Sequence, residues 1–97
     1  MPEATYTTEA YHDLFEIVSY IASRDARAAT KLSDEIERTC TLLAESPGAG
    51  QARDELRPGM RFIPIGNYLV FYREWPDGVQ IIRVIHGARN YGPADFR

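Results

Sequence analysis

Much of what small domains use for cross-linking or catalysis is scarce in this chain. Among its 97 residues there is one cysteine, Cys40, one lysine, Lys31, and one tryptophan, Trp75. A single cysteine excludes an internal disulfide framework and a multi-cysteine zinc site. Cys40 falls inside a helical pattern, which points to a buried, inert thiol. The apolar runs extend only a few residues, against the roughly 20 that a membrane-spanning helix needs. The opening residues Met1-Pro2-Glu3-Ala4-Thr5-Tyr6 carry neither a basic nor an apolar leader segment, so a cytoplasmic protein is expected. No Asp/Glu/His cluster has metal-ligand spacing, and no Ser/His/Asp arrangement is present. Gly48-Ala49-Gly50 follows a helix and not a strand, which excludes a phosphate-cradling loop. No metal and no cofactor are expected.

What is present reads as one ordinary globular domain over residues 1–97, with 44% hydrophobic and 26% charged residues. A chain of this size buries roughly 60–65% of its extended surface on folding, so its core is thin. The net charge of −3 conceals an asymmetry. Residues 1–49 hold nine acids and four bases, and residues 50–97 hold five acids and seven bases, giving −5 and +2. Every base of the second half is arginine, the side chain suited to bidentate contact with carboxylate or phosphate.

Residues 3–6 suit a short opening strand. Thr8 is placed to cap a helix, with Glu9 at the positive end of its dipole. Tyr11, Leu14, Phe15, Val18, Ile21 and Ala22 then form one apolar stripe at helical spacing, with His12, Asp13, Glu16 and Ser19 off it. Asp25 can cap a second helix carrying Ala29, Leu32, Ile36, Cys40 and Leu43, which Pro47 and Gly48 end. So short a link predicts an αα-hairpin.

The period changes from Met60 onward. Arg61–Ile65 and Tyr68–Glu74 read as strands around a Gly66-Asn67 turn. The Asp77-Gly78 step then signals a hairpin into a third strand, Val79–His86. That last strand is almost wholly apolar, which predicts a central place in the sheet. Pro64 cannot donate a ladder hydrogen bond and predicts a rim position for its strand. The fold class is α+β: a short N-terminal strand, an αα-hairpin, then a three-stranded antiparallel meander, with the helices on one face of a single sheet.

This order, and the wording of several segments, resembles the ParE/RelE toxin superfamily. Arg83-Val84-Ile85-His86-Gly87-Ala88-Arg89-Asn90 closely resembles the Arg-Val-Leu-His-Gly-Ala-Arg-Asp signature of the ParE branch, with Asn90 in place of the usual aspartate. Residues 61–73 look like the family's middle hairpin, and Leu42–Gly48 like the end of its second helix. The likeness spans roughly residues 5–91. It implies the toxin of a type II toxin–antitoxin system, neutralised by a cognate antitoxin (ParD-like or another small DNA-binding protein) in a hetero-oligomer. ParE-branch toxins are associated with poisoning DNA gyrase by binding, with growth arrest and plasmid stabilisation as consequences. RelE-branch relatives instead cut messenger RNA on the ribosome. A degenerate member that binds antitoxin and poisons nothing is a third reading.

The nuclease alternative needs a base, phosphate-stabilising cations and an acid. Arg61, Arg83, His86 and Tyr91 are the residues available for it. Against it stand the single lysine, the net negative charge and the position of His86. His86 precedes Gly87-Ala88 at a strand end, where a histidine can simply bond the backbone of the turn. Arg83 alternates with apolar neighbours, which suits an internal ion pair with an acid and an open phosphate site equally. If the chain acts by binding, no residue is catalytic, and Arg57, Arg61, Arg73, Arg83, Arg89 and Tyr91 are the candidate target contacts. No membrane and no sequence-specific nucleic-acid partner is expected. For the antitoxin, the acidic first half suits a basic partner, and Tyr11, Phe15 and Ile21 are the candidate contacts beside the helical hairpin. The same three residues are also accounted for as core. Trp75, at a hairpin tip, either covers the sheet end or anchors a partner.

Overall fold

A computed structural model describes residues 1–96; Arg97, the end of the tail, lies outside them. The elements run β1 (Glu3–Tyr6), α1 (Thr8–Ala22), α2 (Ala26–Glu45), β2 (Gln51–Ala52), β3 (Arg61–Ile65), β4 (Tyr68–Trp75) and β5 (Gly78–His86). Short 3-10 turns at Pro47–Ala49 and Pro93–Phe96 complete the chain. The strands form one sheet in the order β1-β5-β4-β3-β2. The meander of β3, β4 and β5 is antiparallel, whereas β1 joins β5 in parallel, Glu3 opposite Gly78 and Tyr6 opposite Ile81. No helix is long and apolar enough to cross a membrane among the described residues.

The expected elements are present, with local differences. Thr7, not Thr8, caps α1: its hydroxyl accepts from Ala10 N at 3.0 Å and donates to Ile82 O of β5 at 2.8 Å. Asp25 caps α2 as expected, accepting from Ala28 N at 3.0 Å. The second hairpin turns one residue early. Trp75 pairs with Gly78, so the turn residues are Pro76 and Asp77, the latter at φ 58. Proline followed by a residue of positive φ is the pattern of a type II turn. Gly78 is then free to lie against β1, where a Cβ would stand 1.9 Å from Glu3 O.

The strand holding Pro64 is not outermost, because β2 pairs with its first residues, Ala52 with Arg61 and Gln51 with Phe62. Pro64 itself lies beyond that two-residue strand and pairs only with Leu69 of β4. The ladder on its other side therefore demands no N–H from it.

Two apolar clusters form the core. One unites Ala10, Ile36, Cys40 and Leu43 of the helices with Val70, Tyr72, Val79, Ile81 and Val84 of the sheet. The other holds Met60, Phe71, Ile82, Ile85 and Phe96, with Leu56, Phe62, Leu69 and Tyr91 against it. The two clusters account for the nearly continuous apolar run of β5, which is covered on both sides. An irregularity opposite Phe71/Tyr72, where Ile81 pairs with Tyr72 and Arg83 with Phe71, leaves Ile82 as the extra residue of a bulge.

The expected stripe of α1 is rotated. Tyr11 and Phe15 are 62% and 72% exposed, and Ala22 is exposed too. Ala10 is fully buried, while Leu14 and Ile17 pack on the core. The small side chain of Ala10 lets the helix approach the sheet closely. Bulk and apolarity do not by themselves place an aromatic inside.

Candidate functional site

The rotation of α1 brings Asp13, which sequence pattern assigns to the outside, against β5. Its carboxylate takes Arg83 Nε at 2.7 Å on one oxygen and Arg83 Nη2 at 3.0 Å on the other. The first oxygen also accepts from Val84 N at 3.0 Å. Where β1 ends, Thr7 and Asp13 thus take over the open edge of β5. The two side chains of this ion pair are 17% and 12% exposed, and its hydrogen bonds raise the Arg83 pKa above its ordinary value. Arg83 also donates to Asp95 O at 3.1 Å. Of the two readings of Arg83, the structure shows the internal ion pair, with its acid seventy residues away in sequence.

His86 behaves as expected of a strand-end residue: its Nδ1 accepts from Ala88 N at 3.0 Å, and its ring meets Tyr68 edge-on at 5.2 Å. Arg61 closes over backbone carbonyls, donating to Gly50 O at 2.7 Å. Beside it the buried Tyr72 hydroxyl accepts from Gly50 N and donates to Pro47 O. Arg61 pairs with Tyr72, and His86 with Tyr68. The two are therefore separated by four residues along β4, about 13 Å. Tyr68 and Tyr72 belong to the helix-side cluster, and Tyr91 packs in the opposite one. The structure does not bring Arg61, Arg83, His86 and Tyr91 together.

A different group does converge, on the sheet face away from the helices. Phe71, Arg73 and Trp75 alternate along β4 and so share that face. Arg73 Nε donates to Gln80 Oε1 at 2.9 Å, and its guanidinium lies 4.4 Å from the centre of the Trp75 ring. Arg57 reaches across from the loop before β3 to donate to Phe96 O at 3.0 Å. Burial, and then the charge of Arg57, hold the Arg73 pKa below its ordinary value. Phe96 is buried on Phe71, ring centres 4.6 Å apart, with Tyr91 5.3 Å from the same ring. Arg53 donates to the Tyr91 hydroxyl at 2.9 Å and lies over Phe62. The Arg53 Nε is buried without a partner among the described residues. Arg89 is held by Asp95 at 2.8 Å. The sequence pointed to Arg57, Arg73 and Tyr91 but not to Arg53, Gln80 and Phe96. The excess of arginine in the second half was a signal for Arg53 alone.

The helical side carries the other candidate surface. A groove of about 300 Å³ is lined by Tyr6, Tyr11, Leu14, Val18, Ile36 and Glu37. Exposed Phe15, Tyr20 and Leu42 lie on the same two helices. Ile21 does not join them; it is half-buried and lines a separate hollow with Leu32 and Tyr68. His12 is exposed beside Glu16, as a solvated residue should be. Among the described residues no group of three His, Cys, Asp or Glu is placed to hold a metal ion.

The family model for the ParE toxin of the type II toxin–antitoxin system parDE matches residues 4–91. The chain belongs to the ParE toxin family. It is 38% identical over 79 residues to Toxin ParE1 of Caulobacter vibrioides, covering 80% of this chain and 81% of that one. Toxin ParE1 of Mycobacterium tuberculosis is 36% identical over 53 residues, 54% of each chain. Among solved structures, the chromosomal ParDE system of P. aeruginosa aligns with a TM-score of 0.72 at 21% identity, covering 89% of this chain and 96% of that one. The toxin–antitoxin complex RelBE2 of Mycobacterium tuberculosis aligns at 0.59 with 26% identity, covering 89% and 99%. Within this ParE-family chain the matched region takes in both helices and the whole meander but stops short of Phe96.

Proposed function

We propose that the chain is a cytoplasmic toxin that a cognate, ParD-like antitoxin holds inactive and that inhibits DNA gyrase by binding. Gyrase comes from the ParE family resemblance; the observation that supports binding over cutting is the separation of the nuclease candidates. Arg83 is committed to Asp13, His86 to its own turn, and Arg61 to two carbonyls at the far end of the strand. A metal-free RNA cleavage site needs base, cations and acid within hydrogen-bond reach of one phosphate. The sheet face offers instead an arginine and aromatic surface of the composition that dominates protein interfaces. The exposed Tyr11 and Phe15, with the apolar groove beside Glu37, suit an antitoxin segment of apolar and basic side chains.

Supercoiling and cleavage-complex assays with purified toxin and gyrase test the target, alongside a translating-ribosome assay. Trapped gyrase–DNA with intact messenger RNA is the expected result. Codon-periodic cuts that vanish in His86→Ala would replace the proposal with the nuclease reading. For the antitoxin, Tyr11→Asp with Phe15→Asp is expected to abolish co-purification with the antitoxin while the toxin stays folded; undiminished capture would remove this face from the interface.

A further inference from the structure

Most of the arginines of the second half are already occupied. Arg53, Arg83 and Arg89 each face a carboxylate, and Arg61 is closed over carbonyls. Arg57 and Arg73 differ. Their hydrogen bonds go to a backbone carbonyl and a neutral amide, and neither meets a carboxylate among the described residues. Gln80 spends its oxygen on Arg73, which leaves its amide N–H₂ as another donor. Beside these donors stands the Trp75 ring, 38% exposed. The patch has two cations, a spare donor and an aromatic plate, and its acceptors are already in use. It is a surface that awaits an oxyanion next to an apolar group.

Phosphate of a nucleic acid and carboxylate of a protein share that chemistry, and the molecule favours the second. Two phosphate contacts contribute a salt dependence of only about two, far too little to hold a polyanion on a chain of net charge −3. Arginine, tryptophan and tyrosine around a dry apolar floor (here Phe71 and Phe96) are what protein hot spots are made of. We propose that this face docks a carboxylate-bearing segment of a partner protein, one Asp or Glu bridging Arg57 and Arg73 while a neighbouring apolar side chain lies on Trp75. The inference rests on the reading of the chain as a binding toxin, and it names the chemistry of the partner's contact segment.

Trp75 is the sole tryptophan, so its fluorescence reports this face directly. The probes are a capped hexapeptide of alternating glutamate and leucine, the same peptide with glutamine for glutamate, and a twelve-nucleotide single-stranded DNA. At matched ionic strength the acidic peptide is expected to shift Trp75 emission saturably, and the glutamine peptide to bind about tenfold or more weaker, one charged contact's worth. Arg73→Lys keeps the charge but loses the planar fork, and is expected to weaken the acidic peptide several-fold. The double variant Arg57→Gln/Arg73→Gln, with parental far-UV circular dichroism, is expected to show no saturable binding. Equal binding by the double variant, or tighter binding of the DNA than of the acidic peptide, overturns the proposal. The titration contains no gyrase. A failed gyrase assay therefore leaves the docking surface standing, and a failed titration leaves gyrase inhibition untouched.

Discussion

Removing the Asp13 carboxylate is the sharpest test of how the two halves of the chain hold each other. Asp13→Ala strips Arg83 of two hydrogen bonds and of the partner charge, with only the bond to Asp95 O remaining. It also orphans Val84 N on the β5 edge. Breaking a buried ion pair from one side costs about 3–5 kcal/mol. The residual exposure and the remaining carbonyl place this pair near the lower end, and the lost backbone hydrogen bond adds about 1 kcal/mol. Total destabilisation is expected at roughly 3–4 kcal/mol, which lowers a urea midpoint by about 2 M for a small domain. In the double variant Asp13→Ala/Arg83→Met no charge is left uncompensated, so part of the loss should return. A cycle of equilibrium urea unfolding curves measures the coupling. A cost below about 1 kcal/mol for Asp13→Ala, erased by 0.5 M salt (roughly a 4 Å screening length), is the signature of a surface pair. That result would refute the reasoning.

Three further outcomes follow from the packing. Gly78→Ala places a Cβ against Glu3 O at a residue with φ 142, and is expected to lose more than about 2 kcal/mol and to expose the Glu3 amide to hydrogen exchange; native-like protection there would contradict the close approach. Phe96→Ala empties the site on Phe71, with an expected cost of about 3 kcal/mol and a reduced near-UV signal from the Phe71, Tyr91 and Phe96 cluster. Stability should also decline in alkali. Burial raises the Cys40 pKa from its ordinary 9.0, and raises those of Tyr6 and Tyr72 from 10.0. Above pH 9 the unfolded thiol sheds its proton first, so this contribution is full below pH 9 and falls as pH rises. In Cys40→Ala the decline should begin only near pH 10, and an unchanged onset would exclude the thiol as its cause.

Local chemistry carried much of the fold. The N-cap of Asp25, the period of α2, the stop at Pro47 and the strands around Gly66-Asn67 each depend on residues within a few positions of one another, so a one-dimensional reading finds them. The nearly continuous apolar run of β5 even announced its interior place. At the site, His86's turn bond was legible for the same reason, whereas an acid for Arg83 was one of two readings that its apolar neighbours allowed.

Tertiary structure alone decided the rest. Hydrophobicity could not tell that α1 turns Ala10 and Asp13 inward and Tyr11 and Phe15 outward, because the choice rests on a partner seventy residues away and on how closely the helix can approach the sheet. Nor did any local pattern show that β1 would lie parallel to the last strand, or that Phe96 would seal the opposite face. The pairing of β1 with β5 closes most of the chain into a loop, and burial on both sides of β5 repays the entropy of that closure. The composition showed an excess of arginine. The fold determined which arginines balance internal charge and which, at Arg57 and Arg73, stand half-exposed without a carboxylate among the described residues.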